Sequence, residues 1–176
     1  MRALLQRVIC ASVSVDEKIV GEIDQGLLVF LGVQRGDNKA TANKLIEKIF
    51  NYRMFSDVDA KMNLSVEDIS GGLLIVSQFT LAADTQKGLR PGFSSAAEPI
   101  SAKELYDYCI MRARLLSAAN TQDKSTDINS TDAKGAVLTD GLAKNKIATG
   151  IFGADMQVAL INDGPVTFML EVKPNL

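Results

Sequence analysis

The sequence contains no histidine among its 176 residues. Histidine is the usual general base near neutral pH, the base of Ser-His-Asp and Cys-His sites, and the commonest zinc ligand. Its absence excludes those catalytic arrangements and removes the commonest means of holding zinc. Any chemistry of this chain must therefore proceed without imidazole.

Cysteines and long apolar runs are also scarce. Cys10 and Cys109 are the only cysteines, and they lie far apart in apolar surroundings, which favours packed thiols in a reducing cytosol over a disulfide framework. The first residues, Met1–Arg7, include polar side chains too early for a signal-peptide core, and no later run approaches the roughly 18 apolar residues of a membrane span. We expect a cytoplasmic protein with no membrane segment.

The composition is typical of a globular protein, with 47% hydrophobic and 23% charged residues. The length suits a single domain over residues 1–176, whose core needs no cofactor to hold it together. No cluster of metal ligands is evident either. The formal charge of −2 offers little general attraction for nucleic acid, so any RNA contact requires a local basic patch.

Apolar patterns predict strands and a helix in the first half of the chain. Apolar and polar residues roughly alternate from Leu4 to Val15, and a second apolar run spans Gly26 to Val33, which indicates a strand meander. The continuous apolar run at 73–79 predicts a buried strand that ends near Ser77. Residues at helical spacing predict a helix that covers a sheet face; they are Ala42, Leu45, Ile46, Ile49 and Phe50.

The second half is more irregular. Residues 101–104, Ser-Ala-Lys-Glu, have the spacing of a capping box and predict the start of a second helix. Residues from about 118 to 149 are polar and roughly neutral, which indicates a surface insertion. Strand-like runs on either side of residues 162–165 predict a C-terminal β-hairpin. Strands and helices come in blocks, which favours the α+β class over a doubly wound sheet.

Two segments could carry chemistry. Asn162–Pro165, with the sequence Asn-Asp-Gly-Pro, is by itself an ordinary turn between strands. Ser77, Gln78, Phe79 and Thr80 follow a buried strand, where a hydroxyl side chain usually caps a turn. A nucleophilic Thr80 would need an activating base, and without histidine this must be a lysine, a carboxylate or the substrate itself.

Taken together, these two segments resemble the paired signature of the D-aminoacyl-tRNA deacylase family. Residues 77–83 read Ser-Gln-Phe-Thr-Leu-Ala-Ala, and residues 162–168 read Asn-Asp-Gly-Pro-Val-Thr-Phe. Other segments that look like the same family, in the same order, are Gln6–Val8, Tyr52–Asp57 with Lys61–Asn63, Arg90-Pro91 with Phe93, and Phe152–Met156. Each segment is a weak signal alone, but their shared order is specific. The resemblance covers nearly the whole chain except the insertion.

The resemblance implies an α+β fold with a twisted, barrel-like β-sheet core, two main helices and a C-terminal hairpin. It also implies a homodimer that hydrolyses the ester joining a D-amino acid to the 3′-terminal adenosine of tRNA and rejects L-aminoacyl-tRNA. The active site would lie at the subunit interface, and no cofactor or metal is implied. Because relatives have a much shorter connection before Phe152, the insertion is a departure from the family; we expect it to extend into solvent.

The resemblance also assigns residues. Gly164 and Pro165 would form a Gly-cisPro element that enters the other subunit's pocket and turns its main-chain carbonyls toward the substrate's α-amino group. Arg7 would fix that element. The positions implied to line the aminoacyl-adenosine pocket are Ser77, Gln78, Phe79, Phe152 and Met156. An L side chain would meet the main-chain wall, whereas glycine has no side chain to exclude, so we expect cleavage of glycyl-tRNA.

Two mechanisms remain open for the ester cleavage. Thr80 could attack the carbonyl and form an acyl-enzyme, or the ribose 2′-hydroxyl could assist a water while N–H groups near Phe79 and Thr80 stabilise the oxyanion. The missing histidine favours the second. Two other functional classes are a non-enzymatic nucleic-acid-binding module and a general esterase or peptidase. The latter is disfavoured because the chain has no nucleophile-elbow motif.

Overall fold

In the computed structural model, which describes residues 1–86, 88–119 and 145–174, a six-stranded mixed sheet forms most of the fold. A separate pair of short strands and two helices complete it. The strands are β1 (Arg2–Val15), β2 (Lys18–Ile23), β3 (Gly26–Gly32), β4 (Phe55–Ser56), β5 (Met62–Leu64), β6 (Gly72–Ser77), β7 (Ile147–Thr149) and β8 (Gln157–Glu171). The helices are α1 (Lys39–Asn51) and α2 (Pro99–Ala119), and a single 3₁₀ turn spans Phe79–Ala82.

Strand β1 organises the sheet. It pairs antiparallel with β3 along residues 2–8 and with β2 along residues 11–15, while β8 runs antiparallel beside nearly its whole length. The sheet continues in parallel from β3 to β6 and from β6 to β7, giving the order β2-β1-β3-β6-β7.

The sheet curls until its two ends meet. An ideal Cβ at Gly21 of β2 would lie 2.6 Å from the carbonyl oxygen of Thr149 in β7, so this close approach requires glycine. The result is a nearly closed barrel. The predicted α+β class, with a barrel-like sheet and two main helices, is confirmed.

Two apolar cores hold these layers together. The smaller core fills the barrel interior; its buried members are Val8, Ala11, Val13, Ile23, Leu28, Leu74 and Val76. The larger core lies between the sheet and the two helices and includes Leu5, Leu27, Leu45, Ile49, Phe50 and Tyr106. Neither α1 nor α2, the two helices of the described residues, combines the length and the hydropathy of a membrane-spanning helix.

Helix α1 and strand β6 follow the sequence pattern closely. The Asn38 side chain caps α1 by accepting from the N–H groups of Ala40 and Thr41. The whole predicted apolar stripe of α1 is buried, and β6 is buried up to Ser77, where it ends as predicted.

Helix α2 begins earlier than the capping-box pattern predicts. Its first residue is Pro99, and the N–H of Ala102 already donates to the carbonyl of Glu98. Proline is favoured at the first helical position because its missing N–H would have no intrahelical partner there. Ser101 therefore lies inside the helix, and the prediction that it is the cap is wrong.

The bounds of the predicted insertion also differ from the structure. Its first two residues, 118 and 119, belong to α2, and residues 147–149 form β7 at the sheet edge. Buried Asn145 ties these ends together, because the Ser117 hydroxyl donates to its carbonyl at 2.9 Å. The remainder of the predicted insertion, residues 120–144, lies outside the described residues.

The C-terminal strand segments lie where the sequence predicts, with a different pairing. Both belong to β8, and each pairs antiparallel with β1 rather than with the other. The 14-residue length of β1 explains this arrangement, because it offers hydrogen-bonding groups to both segments while the chain keeps one direction.

Candidate functional site

A cavity of about 530 Å³ opens where β3 and β6 end. The start of α2 and the segment 152–158 form its other walls. It is lined by Leu31, Val33, Val76, Ser77, Gln78, Phe79, Ala97, Pro99, Ala102, Tyr106, Phe152, Gly153, Ala154, Met156 and Val158. This set contains all five positions that the family resemblance assigns to a pocket.

The chain leaves β6 through the 3₁₀ turn Phe79–Ala82, which we call the Phe79 turn. The N–H of Gln78 donates to the carbonyl of Leu31 at 2.8 Å and ends the pairing with β3. The first N–H groups of such a turn, those of Phe79 and Thr80, have no carbonyl partner within it. Two donors at the cavity edge can therefore stabilise a developing oxyanion.

Thr80 lies beside the cavity and is exposed. Its hydroxyl accepts a hydrogen bond of 2.7 Å from the side-chain amide of Gln78. An amide cannot remove the proton of a hydroxyl. Within residues 1–86, 88–119 and 145–174, neither lysine nor carboxylate is hydrogen-bonded to Thr80, so none of these residues acts as its general base.

Among the residues that the structure describes, Tyr106 is the only titratable side chain that lines the cavity. Its hydroxyl donates to the carbonyl of Ile75 at 2.8 Å, and burial raises its pKa from 10.0 to about 12. Tyr106 is therefore neutral and committed to a structural hydrogen bond near pH 7. The described lining of the cavity therefore offers apolar shape and main-chain dipoles, without an ionised acid or base near pH 7.

An aromatic pair lies next to the cavity. The rings of Phe79 and Phe93 stack with centroids 4.7 Å apart and an angle of 21° between their planes. Phe79 is 54% exposed and Phe93 is 38% exposed. Exposed stacked rings of this kind offer a face to a planar partner such as a nucleobase.

The second candidate segment is a bulge in β8. Gln6 pairs with Thr167 and Val8 pairs with Asn162, so the four residues 163–166 lie opposite the single residue Arg7. We call residues 163–166 the Pro165 bulge. The peptide bond between Gly164 and Pro165 is cis, and both residues are exposed.

Glycine is required at the centre of this bulge. Gly164 has φ of 127°, which L side chains rarely adopt. An ideal Cβ there would lie 2.7 Å from Cγ2 of Val166 and 3.0 Å from Nη2 of Arg7. A larger residue would therefore change the shape that the bulge presents.

Two polar side chains fix the Pro165 bulge. Arg7 Nε donates to the carbonyl of Asp163 at 3.1 Å and pairs with its carboxylate at 3.0 Å, while Nη1 donates to the carbonyl of Met54 at 2.7 Å. The Asn162 side chain accepts from the N–H of Val166 and donates to the Thr167 hydroxyl, both at 2.9 Å. The exposed bulge thus rests on a rigid base.

The structure does not bring the two segments together within one chain. Arg7 lies four residues along β1 from Ala3, which is joined to Ser77 through Leu31 of the intervening strand. Strand rises of about 3.3 Å and spacings of about 4.8 Å place Arg7 on the order of 15 Å from Ser77. Arg7, Gly164 and Pro165 are not among the residues that line the cavity.

Sequence reasoning missed the helical wall of the cavity. Ala102 and Tyr106 reach it from α2, and Tyr106 also packs its ring 5.7 Å from that of Phe152. The only available signal was a tyrosine on an otherwise apolar helical stripe. In the described part of the chain, no three Cys, Asp or Glu side chains lie close enough together to hold a metal ion.

Comparison with known proteins gives consistent results. A family model described as D-Tyr-tRNA(Tyr) deacylase matches residues 4–171. The D-aminoacyl-tRNA deacylase of Cellvibrio japonicus is 51% identical over 172 residues, covering 98% of this chain and 99% of that protein. The protein of the same name from Stutzerimonas stutzeri is 52% identical over 171 residues, covering 97% of this chain and 99% of its own length.

A solved structure shares the fold. It is titled c-Myc DNA Unwinding Element Binding Protein and matches with a TM-score of 0.79 and 32% sequence identity. The match covers 99% of this chain and all of that chain.

Proposed function

The chain belongs to the D-Tyr-tRNA(Tyr) deacylase family, and on that premise we propose that it hydrolyses the ester between a D-amino acid and the 3′-terminal adenosine of tRNA. This reaction is a form of chirality proofreading in translation. The observation that carries the proposal is the pairing of two elements on one fold. An apolar cavity has at its edge N–H groups that lack a partner within their own turn, and a rigid exposed bulge centred on Gly164 and Pro165 is available to enter such a cavity.

We propose that the active chain is a homodimer with its site at the interface. The Pro165 bulge is exposed and pairs with Arg7, which itself lies on the order of 15 Å from Ser77 along the sheet, so a second subunit would supply the bulge to the cavity. In a two-fold dimer, each bulge enters the partner's cavity and each cavity receives one. The exposed apolar side chains of Ile9, Ile161 and Met169 on β1 and β8 favour burial of this surface.

The Pro165 bulge would select chirality with main-chain atoms. Its backbone is fixed by Arg7 and Asn162, so its carbonyl groups form a wall that cannot rotate away from a substrate. A D-amino acid would place its α-amino group against these carbonyls, and an L side chain would collide with them. Selection is therefore by exclusion, which discriminates poorly against smaller substrates, and glycyl-tRNA is cleaved as well.

The tRNA would supply the base for the chemistry. In the proposed mechanism the 2′-hydroxyl of the terminal ribose accepts a proton from the water that attacks the ester carbonyl and passes its own proton to the departing 3′-oxygen. The N–H groups of Phe79 and Thr80 stabilise the oxyanion, and the 3′-hydroxyl leaves. The cavity supports this mechanism because, among the described residues, Tyr106 is its only titratable side chain and no lysine or carboxylate is hydrogen-bonded to Thr80. The reaction as written needs neither metal nor cofactor.

The proposal places the protein in the cytoplasm, where a tRNA-editing enzyme meets its substrate, and treats residues 1–176 as one domain. Its partners are the acceptor end of D-aminoacyl-tRNA and a second copy of the chain. Ser77 and Gln78 help to shape the end of β6 in the aminoacyl-adenosine pocket, and Phe152 and Met156 form the opposite wall.

The structural relative named for binding a DNA unwinding element supports a second candidate function, the binding of unpaired DNA. The net charge of −2 gives it no general electrostatic support. Titration with single-stranded and duplex DNA at two salt concentrations would test it. Tight, salt-sensitive binding to single strands by a chain that lacks deacylase activity would favour this function over the first.

The direct test is single-turnover deacylation of matched D- and L-tyrosyl-tRNA, with glycyl-tRNA as a third substrate. We expect rapid cleavage of D-tyrosyl-tRNA, measurable cleavage of glycyl-tRNA and much slower cleavage of L-tyrosyl-tRNA. Equal rates on the D and L substrates would contradict the proposed function. Failure to cleave glycyl-tRNA would contradict only the exclusion mechanism.

A further inference from the structure

The Phe79 turn is too short to fix its own orientation. It consists of one 3₁₀ turn, and its N-cap residue Gln78 makes no side-chain capping bond. Its closing bonds are long, at 3.3 Å from Leu81 N to Gln78 O and 3.1 Å from Ala83 N to Thr80 O. Hydrogen bonds in 3₁₀ turns are also poorly aligned. The direction of the Phe79 and Thr80 N–H groups therefore depends on contacts from outside the turn.

Two side chains hold the carbonyl end of the turn. Arg2 Nη1 donates to the carbonyl of Leu81 at 3.0 Å, and the Ser95 hydroxyl donates to the carbonyl of Ala82 at 2.5 Å. The same guanidinium is held in place by Glu171, which accepts from Arg2 Nε at 3.1 Å. Because a guanidinium is planar and rigid, fixing one edge also fixes the other.

The opposite side of the turn presses on β3. An ideal Cβ at Gly32 would lie 2.8 Å from Cβ of Leu81 and 3.2 Å from the carbonyl oxygen of Gln78. The turn therefore cannot move inward past the end of β3. Arg2 and Ser95 prevent it from moving outward, so the turn is held between these contacts.

We propose that Arg2 is a positioning residue for the deacylation, acting through the Phe79 turn. Arg2 does not line the cavity; it aligns the N–H groups of Phe79 and Thr80 by holding the far end of the turn. This inference rests on the proposed function, because those N–H groups are the oxyanion donors of that reaction. It also gives β1 two arginines with separate tasks, since Arg7 fixes the Pro165 bulge.

The test compares Arg2→Ala and Arg2→Lys with Ser95→Ala and, as a matched control, Arg114→Ala. Arg114 is exposed on α2 and does not line the cavity. Removing one oxyanion donor costs about 100-fold or more, so misaligning two should lower the single-turnover rate of Arg2→Ala about 10-fold. We expect tRNA affinity within twofold of wild type and an unchanged ratio of D to L cleavage.

The other variants separate positioning from general support. Arg2→Lys should regain part of the rate, because an ammonium can still donate to the Leu81 carbonyl without the second fixed contact to Glu171. Ser95→Ala should also lower the single-turnover rate, by a smaller factor than Arg2→Ala. Arg114→Ala should leave the rate unchanged. A merely structural role would lower thermal stability without this split between rate and affinity.

Several outcomes would overturn the role of Arg2. One is a single-turnover rate of Arg2→Ala within twofold of wild type. Another is a fall in tRNA affinity that accounts for the whole loss of deacylation, which would make Arg2 an RNA-binding residue. If Arg2→Ala does not fold, wild-type rates for both Arg2→Lys and Ser95→Ala would overturn it equally. If the wild-type chain is inactive on D-tyrosyl-tRNA, the proposed function itself is contradicted. This outcome is distinct from a failure of the Arg2 inference, in which the wild type is active and the Arg2 variants keep its rate.

Discussion

The Pro165 bulge and the Phe79 turn are both short departures from regular strands, and each is held by an arginine of β1. Arg7, whose side chain is 12% exposed, contacts two carbonyls and a carboxylate below the bulge. Arg2, at 32% exposure, holds one carbonyl of the turn and one carboxylate. The bulge is therefore more firmly fixed than the turn. A main-chain wall that selects substrates by shape requires this rigidity. Mutations at the bulge should therefore impair substrate selection as well as rate, and mutations at the turn should change rate alone.

The largest effect expected on the turn side comes from the substrate. A D-tyrosyl-tRNA that ends in 2′-deoxyadenosine, charged on its 3′-hydroxyl, should react about 1,000-fold more slowly than the normal substrate, within the range for removal of a general base. Thr80→Val should lower the single-turnover rate less than about threefold, because the Thr80 hydroxyl accepts from Gln78 and no lysine or carboxylate of the described residues is hydrogen-bonded to it. Near-complete loss of the deacylation rate in Thr80→Val, with intact tRNA binding, would instead indicate that Thr80 is the nucleophile.

On the bulge side, Gly164→Ala should lower D-tyrosyl-tRNA cleavage about 100-fold, since small displacements of positioning groups cost this much. The added Cβ would meet Val166 Cγ2 at 2.7 Å, and φ of 127° disfavours any L residue. The control is Gly36→Ala: Gly36 has φ of 86°, and among the described residues an ideal Cβ there would meet only Cγ of Pro174 within 4 Å, at 3.8 Å. Single-turnover kinetics of both would show whether the loss comes from the bulge or from any glycine with positive φ.

A smaller effect should separate the two arginines. Arg7→Ala loosens the base of the bulge, so we expect the ratio of D to L cleavage to fall about 10-fold, in line with the loss of one charged hydrogen-bonding group. Arg2→Ala should leave this ratio unchanged while lowering the rate. The comparison of the two regions fails if both variants change the ratio equally when assayed side by side on D- and L-tyrosyl-tRNA.

The smallest effect on catalysis is expected at Tyr106. Tyr106→Phe should keep the deacylation rate within about twofold and cost about 1 kcal/mol of unfolding free energy, the value of one hydrogen bond. Burial raises the pKa of Tyr106 from 10.0 to about 12, so folding favours the protonated phenol. Its contribution is complete below pH 10 and is lost as the pH rises toward 12.

Denaturant unfolding between pH 8 and pH 12 would measure this contribution. The wild type should lose stability over this range, and Tyr106→Phe should show a shallower decline. Part of the decline should remain in the variant, because burial also raises the pKa of Cys109 from 9.0 to about 12. A stepwise loss of wild-type deacylation between pH 6 and pH 8 would contradict the absence of an acid or base in the described cavity.

Local patterns in the sequence predicted most of the elements. The apolar stripe of α1 and the buried run of β6 are local signals, and both elements form where expected. The start of α2 was missed because Pro99 competes with a plausible cap two residues later. The pairing of β8 could not be read from the sequence, because it depends on the free edge of a strand more than 140 residues away.

The candidate site likewise contains residues that local sequence patterns reveal and residues that they do not. Ser77–Thr80 and Gly164-Pro165 form recognisable motifs, and motif residues can be found without a structure. Arg2 and Tyr106 belong to no motif, and their roles depend on carbonyl groups 79 and 31 residues away along the chain. Such contacts between a side chain and a distant main chain leave no local pattern.

The central claim is that each active site combines the cavity of one subunit with the Pro165 bulge of its partner. It can be tested by mixing a bulge-defective variant, Gly164→Ala, with a cavity-defective variant, Met156→Trp, after subunit exchange. Half of the dimers in an equal random mixture are mixed, and each would contain one intact site of two, so about a quarter of wild-type D-specific activity should return. If each subunit carried a complete site of its own, the mixture would stay as inactive as its two components.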